Sequence, residues 1–221
     1  MYRFQRGDDR TSEIHVVDAD GSHDRSLTGN NSSDWSPALS PDGKRIAFAS
    51  GRDSGSVGDI YVMKADGSTP KRLTRDRDID EYPAWSPDGR RIVFSSTRGV
   101  AFSGDSRALW MMNADGSHLR RLTRGHYDMR PAWSPDGKWI AFESDRGTHG
   151  IPRTIWVMDA RGAHKRRVIR GIGEHPAWSP DGKRIVYSAY PAGLGIVSAD
   201  GRGRPRIIAS RLGLVALPAW R

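Results

Sequence analysis

The sequence predicts an all-β fold, a propeller of four-stranded antiparallel blades, five of them, closed by the C-terminal strand. Three observations carry that expectation. A Pro-Ala-X-Ser-Pro-Asp-Gly segment recurs at Pro37–Gly43, Pro83–Gly89, Pro131–Gly137 and Pro176–Gly182, a period of about 45 residues that belongs to propellers rather than solenoids. A second marker, Ala-(Asp/Arg)-Gly, alternates with it in fixed phase at Ala19–Gly21, Ala65–Gly67, Ala114–Gly116, Ala160–Gly162 and Ala199–Gly201. The 221 residues include 25 Gly, 13 Pro and 8 Trp, the composition of short strands joined by tight turns.

Each repeat reads as four strands. Strand A is the short Pro-Ala-Trp step, ended by Ser-Pro-Asp-Gly: Pro presets φ at the turn corner, Asp bonds its own backbone and Gly takes the left-handed place. Strand B follows as Ile46-Ala47-Phe48, Ile92-Val93-Phe94, Ile140-Ala141-Phe142 and Ile185-Val186-Tyr187. These runs are apolar on both faces, so strand B lies between neighbouring sheets. Strand C is Ile60–Met63, Leu109–Met112 and Ile155–Met158, and the Asp-Gly turn leads into strand D with Leu27, Leu73, Leu122, Val168 or Ile207.

The blade boundaries that follow make one propeller domain of residues 1–221. Blade 1 spans 2–29 plus 218–221, blade 2 37–79, blade 3 83–127, blade 4 131–171 and blade 5 176–213. Pro218-Ala219-Trp220-Arg221 is one more strand A, and Tyr2-Arg3-Phe4 with Ile14–Val17 supplies strands B and C, so the two ends complete one blade. The same pattern also fits a piece of a longer propeller cut at a repeat boundary. Arg3 and Gln5, polar where strand B is apolar elsewhere, favour that second reading.

The repeat Pro-Ala-Trp-Ser-Pro-Asp-Gly-(Lys/Arg)-(Arg/Trp)-Ile-(Ala/Val)-Phe, followed by Ile-Tyr-Val-Met-Lys-Ala-Asp-Gly-Ser and Arg-Leu-Thr, resembles the TolB-like (PD40, WD40-like) β-propeller family over nearly the whole chain. The resemblance implies a propeller. The family's best-known member is a periplasmic partner of an outer-membrane lipoprotein, with six blades and a separate N-terminal α/β domain that this sequence does not show. Related propellers form the non-catalytic half of prolyl-oligopeptidase-like peptidases, and a few are polysaccharide lyases. The fold does not fix the function.

Several classes are excluded or demoted by composition and motif. No apolar run approaches the ~18 residues of a membrane-spanning helix. The opening Met1–Asp8 carries no apolar signal segment, which makes the cytoplasm the default compartment, with the periplasm or cell envelope as the alternative implied by the resemblance. There are no cysteines, so disulfides and thiolate chemistry are out. Gly-X-Ser-X-Gly, His-Glu-X-X-His and phosphate-loop motifs are absent. Lys+Arg 35 against Asp+Glu 26 gives +9, concentrated on strand D at Lys71-Arg72, Arg120-Arg121, Lys165–Arg167 and Arg202 to Arg206. Charge on an edge strand blocks edge-to-edge pairing. Loose, salt-sensitive attraction to polyanions is the functional alternative, without sequence-specific nucleic-acid readout.

Candidate site residues come from aligning the repeats on the Pro that opens strand A. The three residues before it are Asp34-Trp35-Ser36, Asp80-Glu81-Tyr82, Asp128-Met129-Arg130 and Gly173-Glu174-His175. The ligand-binding candidates at the channel mouth are therefore Asp34, Trp35, Asp80, Glu81, Tyr82, Asp128, Arg130, Glu174 and His175. Oxygen ligands of this kind suit a hard divalent cation such as Ca²⁺ or a polar ligand. The structural alternative pairs the acids with Arg52, Arg98 and Arg146 of adjacent blades. No cofactor is otherwise implied. Asp42, Asp88, Asp136 and Asp181 recur with every blade, which argues turn chemistry, and Trp85, Trp133 and Trp178 recur likewise as packing residues.

The function expected is a non-enzymatic scaffold that binds a protein or small polar ligand through its variable loop face, as a monomer if the ring closes. The Ser96 to Ala108 loop, with Val100, Ala101 and Phe102, is the expected partner contact. The rival is a lyase or hydrolase acting on polysaccharide or peptide with Asp80, Glu81, Glu174 and His175. A third reading is the detached propeller of a larger envelope or peptidase-like protein.

Overall fold

The computed structural model describes the backbone of residues 2–5 and residues 11–53, 58–99, 106–147, 153–191 and 193–209. Every regular element among them is a strand. The first sheet holds β1 (Tyr2–Gln5), β2 (Ser12–Val16) and β3 (Arg25–Ser26). The second holds β4 (Asp34–Leu39), β5 (Arg45–Ser50), β6 (Asp59–Lys64) and β7 (Lys71–Arg72). The third holds β8 (Asp80–Trp85), β9 (Arg91–Ser96), β10 (Ala108–Asn113) and β11 (Arg120–Arg121). The fourth holds β12 (Met129–Trp133), β13 (Trp139–Ser144), β14 (Thr154–Asp159) and β15 (Arg166–Arg167). The fifth holds β16 (Gly173–Trp178), β17 (Arg184–Ala189), β18 (Gly193–Ser198) and β19 (Arg206–Ala209). Strands follow one another in each sheet in chain order, as antiparallel meanders. The first sheet is three-stranded among the described residues, and Pro218–Arg221, expected to complete it, lies outside them.

The chain forms two compact units, Met1–Gly99 with Met111–Arg120, and Val100–Trp110 with Arg121–Arg221. In each, the core lies between successive sheets. Ile14 and Leu27 of the first sheet meet Ile46, Phe48, Tyr61 and Met63 of the second. In the other unit Ala141, Ile155, Val157, Val168 and Ile169 meet Trp178, Ile185, Tyr187 and Val197. The second strand of each blade is the most deeply buried: Ile46-Ala47-Phe48, Ile140-Ala141-Phe142 and their equivalents Ile92 and Phe94 are fully inaccessible. Branched and aromatic side chains on both faces make these strands fit only between sheets.

The turn motifs act as the sequence requires. Ser40, Ser86, Ser134 and Ser179 donate to Asp42, Asp88, Asp136 and Asp181 at 2.5–2.6 Å. Each Asp also accepts the backbone N–H two residues on. These bonds hold the four carboxyls below the usual carboxylate range, the Ser hydroxyl contributing most. Inner-strand tryptophans tie one blade to the one before. Trp85 Nε1 donates to the Ala38 carbonyl and Trp178 Nε1 to the Ala132 carbonyl, both at 3.0 Å. Leu39 stands where the later blades place Trp, and it is 51% exposed while Trp85 is 7%.

Trp178→Phe, which removes the indole N–H and part of the ring, is expected to cost about 1 kcal/mol or somewhat more. Trp178→Ala adds the cavity and is expected to cost about 3–5 kcal/mol. Equilibrium urea unfolding measures both, and an unchanged midpoint for Trp178→Phe would show that the hydrogen bond contributes nothing.

Candidate functional site

The variable end of each inner strand is shaped by a bulge. Trp35 pairs with Ala49 and Ala38 with Ala47, so two residues of β4 oppose one of β5. The same shift occurs between Glu81 and Ala84, Met129 and Ala132, and Glu174 and Ala177. The extra residue is in each case the one before Pro. Ser36, Tyr82, Arg130 and His175 sit in the left-handed region, with φ of 55°, 53°, 49° and 54°. This conformation costs roughly 1–2 kcal/mol for a residue with a Cβ, and a residue before Pro normally avoids helical backbone. The bulge turns these side chains, the most varied of the repeat, into the half-buried zone at the strand end.

The recurring acids are held by arginines of their own blade. Asp34 is fully buried and accepts Arg52 Nη2 at 3.0 Å. Asp128 is equally buried and takes Arg146 on both oxygens, with Oδ2 at 2.7 Å. Asp80 accepts Arg98 Nη2 at 3.2 Å. The expectation of pairing across blades is corrected here: each Arg follows the second strand of the sheet whose first strand begins at the Asp. The hairpin brings residues 18 apart to the same edge. Arg98 also contacts Asp76 and, at 4.0 Å, Asp78. Burial pushes the Asp80 carboxyl up to about 7, against the pull of Ser96 and Arg98. Among the described residues its Oδ1 has no hydrogen-bond partner. Among the described residues, no group of three or more His, Asp or Glu is placed to hold a metal ion.

The fifth blade departs from this scheme. Gly173 replaces the Asp, and a Cβ there would stand 2.3 Å from Ile169 Cδ1 and 2.8 Å from Tyr187 Cδ2. A buried carboxylate is supplied instead from the fourth blade, by Glu143 on β13. Glu143 is fully buried; Oε1 accepts the His175 N–H at 2.7 Å and Oε2 accepts Arg130 Nη1 at 2.9 Å. Arg153 Nη1 lies 3.6 Å from the same Oε2 and 3.8 Å from Glu174 Oε1. The Arg153 guanidinium sits 4.5 Å over the Tyr127 ring, and that of Arg107 lies 5.8 Å from it. Burial pushes the Glu143 carboxyl upward, while Arg130 pulls it down. Burial, with Arg130 adding, pushes the His175 imidazole down to about 4. Among the described residues its Nδ1 has no hydrogen-bond partner and lies 4.0 Å from Glu174 Oε2.

Of the residues singled out from sequence, Arg130, Glu174 and His175 are therefore gathered around Glu143, while Asp128 is occupied with Arg146. Asp34, Trp35, Asp80, Glu81 and Tyr82 belong to the other unit. Trp35 rests its ring on Gly58, where an added Cβ would stand 2.6 Å from Cζ2. That contact gives the indole a packing role. Val100, Ala101 and Phe102 lie outside the described residues. Glu143, Tyr127 and Arg153 escaped the sequence reading. The signal for Glu143 was present: its equivalents in the other blades are Ala49, Ser95 and Ser188.

A family model described as the TolB beta propeller domain (PD40) matches residues 53–221. Among solved structures the chain is similar to TolB from Acinetobacter baumannii, with a TM-score of 0.73 and 24% identity over 91% of this chain and 49% of that one. It is similar to a putative TolB from Agrobacterium tumefaciens, with a TM-score of 0.67 and 27% identity over 87% and 68% of the two chains. It is also similar to an oligogalacturonate lyase in complex with manganese, with a TM-score of 0.66 and 16% identity over 90% and 59%. The chain thus spans about half of the first of these proteins. No curated protein matches it in sequence.

Two measurements follow from the geometry. Arg146→Met leaves Asp128 buried without its partner and is expected to cost about 3–5 kcal/mol in urea unfolding; an unchanged midpoint would remove the clamp from the account. The depressed His175 pKa means that the folded state resists protonation. Its stabilising contribution is complete above the unfolded value near 6.5 and is lost as pH falls toward about 4. His175→Asn, which tolerates the left-handed backbone, is expected to flatten the decline of melting temperature across that window. A parallel decline in both proteins would contradict the assignment.

Proposed function

Since the chain belongs to the TolB beta propeller domain family, we propose that it is a non-enzymatic binding scaffold. In this reading the cluster around Glu143 takes a carboxylate of a protein partner or small polar ligand. One observation carries the reading. In the fourth blade alone, a fully buried glutamate replaces Ala or Ser and holds Arg130, Arg153 and the His175 backbone at the variable strand end. A buried charge whose function was only to close a blade would recur with the blades, as the Asp–Arg clamps do.

The chemistry supports an anionic ligand group. Arg107, Arg130 and Arg153 outnumber Glu143 and Glu174, and the guanidiniums keep about a fifth of their side-chain surface at Arg130 and Arg153. Planar guanidinium groups suit bidentate carboxylate recognition. Tyr127 beneath Arg153 adds a platform that fixes the fork. Glu174, 42% exposed and 3.8 Å from Arg153, stands where an incoming carboxylate would compete. The rigid blades lower the ordering cost of binding. The Val100-Ala101-Phe102 run, apolar in sequence, completes the proposal as the protein-contacting loop, and the cell envelope is the compartment the family resemblance favours.

A lyase or hydrolase is less well supported. A general base works best with a pKa near the operating pH, whereas His175 is held at about 4. Asp80 is raised to about 7 but is fully buried and clamped. Likeness to the lyase structure at 16% identity speaks for the fold alone.

The test is titration calorimetry with a glutamate-rich peptide and with oligogalacturonate, against a lysine-rich peptide as control. Loss of a charge-assisted bond of about 1.5–3 kcal/mol means that Arg153→Ala should weaken binding of the acidic probe about tenfold or more, with Glu81→Gln neutral. Failure of both acidic probes to bind, or indifference to Arg153→Ala, would overturn the site. Cleavage of oligogalacturonate by the wild type would overturn the non-enzymatic reading.

A further inference from the structure

The second blade breaks the repeat where its sheet faces the third. Register sets Arg45 directly opposite Lys64, and Val62 opposite Lys71. With side chains alternating along a strand, these four share one face of the sheet. Like charges directly opposite one another destabilise a sheet. The equivalent pairs are Trp139 with Asp159 in the fourth blade and Arg184 with Ser198 in the fifth. Of these pairs, that of the second blade sets cation against cation.

The turn beside this pair departs as well. In the first, third and fourth blades a His with φ of 53°, 56° or 52° bonds the side chain five residues before it. His23 meets Asp18, His118 meets Asn113 and His164 meets Asp159, each at 2.8 Å. The second blade has Lys64 and Thr69 at those places, and Thr69 keeps the left-handed backbone at φ 54°. A ring is thus exchanged for a short hydroxyl, and an acid or amide for a cation.

A groove of about 700 Å³ lies there between the second and third blades, with Thr69 in its lining. The Ala114-Asp115-Gly116 turn of the third blade seats against the second, so that a Cβ on Gly116 would stand 3.2 Å from the Leu73 carbonyl oxygen. Arg45, Lys64 and Lys71 line the groove from one side and Arg90 from the other, beside an apolar wall of Val62 and Leu73. Arg45 is held in place: its guanidinium lies 4.6 Å over the Trp85 ring, and Nη2 donates to the Gly89 carbonyl at 3.2 Å. Lys71 donates to the Asp115 carbonyl at 3.4 Å. Asp42, Asp66, Asp88 and, in the lining itself, Asp115 are engaged in their own turns, where they accept bonds from Ser40, Ser68, Ser86 and Ser117. Among the described residues none of the four cations forms an ion pair.

We propose that this groove binds a phosphomonoester, with Arg45, Lys64, Lys71 and Arg90 toward the phosphate and the apolar wall against the carbon body. Several like charges without a carboxylate partner suit a dianion that accepts several charge-assisted bonds at once. The groove lies in the first unit and the Glu143 cluster in the second, so neither proposal depends on the other.

The experiment is titration calorimetry of residues 1–221 with glycerol 3-phosphate. Beside it runs flotation with phosphatidylcholine vesicles with and without phosphatidic acid, which carries the same group on a lipid. Lys64→Asp with Thr69→His writes the pair of the fourth blade into the second and should weaken binding about tenfold or more. Lys138→Ala, which removes an exposed cation from the turn equivalent to that of Arg90, should bind as the wild type does. The double variant relieves the repulsion between Arg45 and Lys64, so in phosphate-free buffer it should melt at or above the wild type. Glycerol 3-phosphate should raise the melting temperature of the wild type and leave that of the double variant unchanged. Binding of the soluble ester that requires Lys64 supports a free small molecule as ligand. Binding confined to phosphatidic acid vesicles, and lost in the double variant, supports a lipid headgroup. No binding of either probe overturns the proposal, as does binding that the double variant retains or that Lys138→Ala weakens equally. Should the double variant not fold, Lys64→Met carries the same comparison.

Discussion

The buried aspartate clamped by an arginine of its own blade is the interaction on which the strand ends depend. Asp34, Asp80 and Asp128 are fully inaccessible, and each sits two residues before a left-handed residue and three before a proline. Desolvating a carboxylate costs several kcal/mol, and an arginine repays this only with good geometry. The hairpin provides it, because Asp and Arg meet at the edge where the first two strands of the blade pair. The bulge beside it sets the direction of Ser36, Tyr82 and Arg130, and the same bulge persists at His175, where Gly173 replaces the Asp. The clamp thus converts a repeated structural pair into a constant frame for a variable side chain.

The fifth blade shows what happens when the frame is built differently. Gly173 leaves no room for a side chain between Ile169 and Tyr187, so the charge cannot come from the usual place. Glu143 reaches from the preceding blade to the His175 N–H, 32 residues away in sequence. The same carboxylate must also hold Arg130, and Arg153 closes on it from the start of β14. A group that serves one blade elsewhere here joins two, and the result is a set of partly exposed guanidiniums around one buried anion. Burial works in opposite directions on its two titratable members, raising Glu143 and lowering His175. Both shifts favour neutral forms, and the arginines offset this for Glu143 alone.

The architecture was legible because its signals are local and repeated. The Ser-Pro-Asp-Gly turn, the apolar second strand and the Asp-Gly hairpin each encode their conformation within a few residues, and four copies remove ambiguity. The positions Asp34, Asp80, Asp128, Arg130, Glu174 and His175 were singled out by counting back from a proline. Their partners were harder to read. Pairing within a blade or between blades depends on how far a hairpin brings Arg52 or Arg146 back, which composition does not specify. Glu143 was hidden for a different reason. Attention to what recurs passes over the single position that breaks the recurrence, and a buried glutamate in a run of Ala and Ser equivalents is such a position. The ring of Trp35 lies against Gly58, a neighbour that the sequence alone does not announce.

The glycines of the Ala-(Asp/Arg)-Gly turns illustrate how one residue answers two constraints. From sequence the turn alone explains them, since the hairpin needs positive φ. The structure adds close approach: at Gly67 and Gly162 even a methyl group would strike a backbone carbonyl of the neighbouring blade. Asn could satisfy the first constraint but not the second. The same residue type therefore sets both the reversal within a blade and the distance between blades, and sequence repetition carries stacking as well as folding. Beneath a seated turn the outer strand is covered, as at Leu27, Leu122 and Val168.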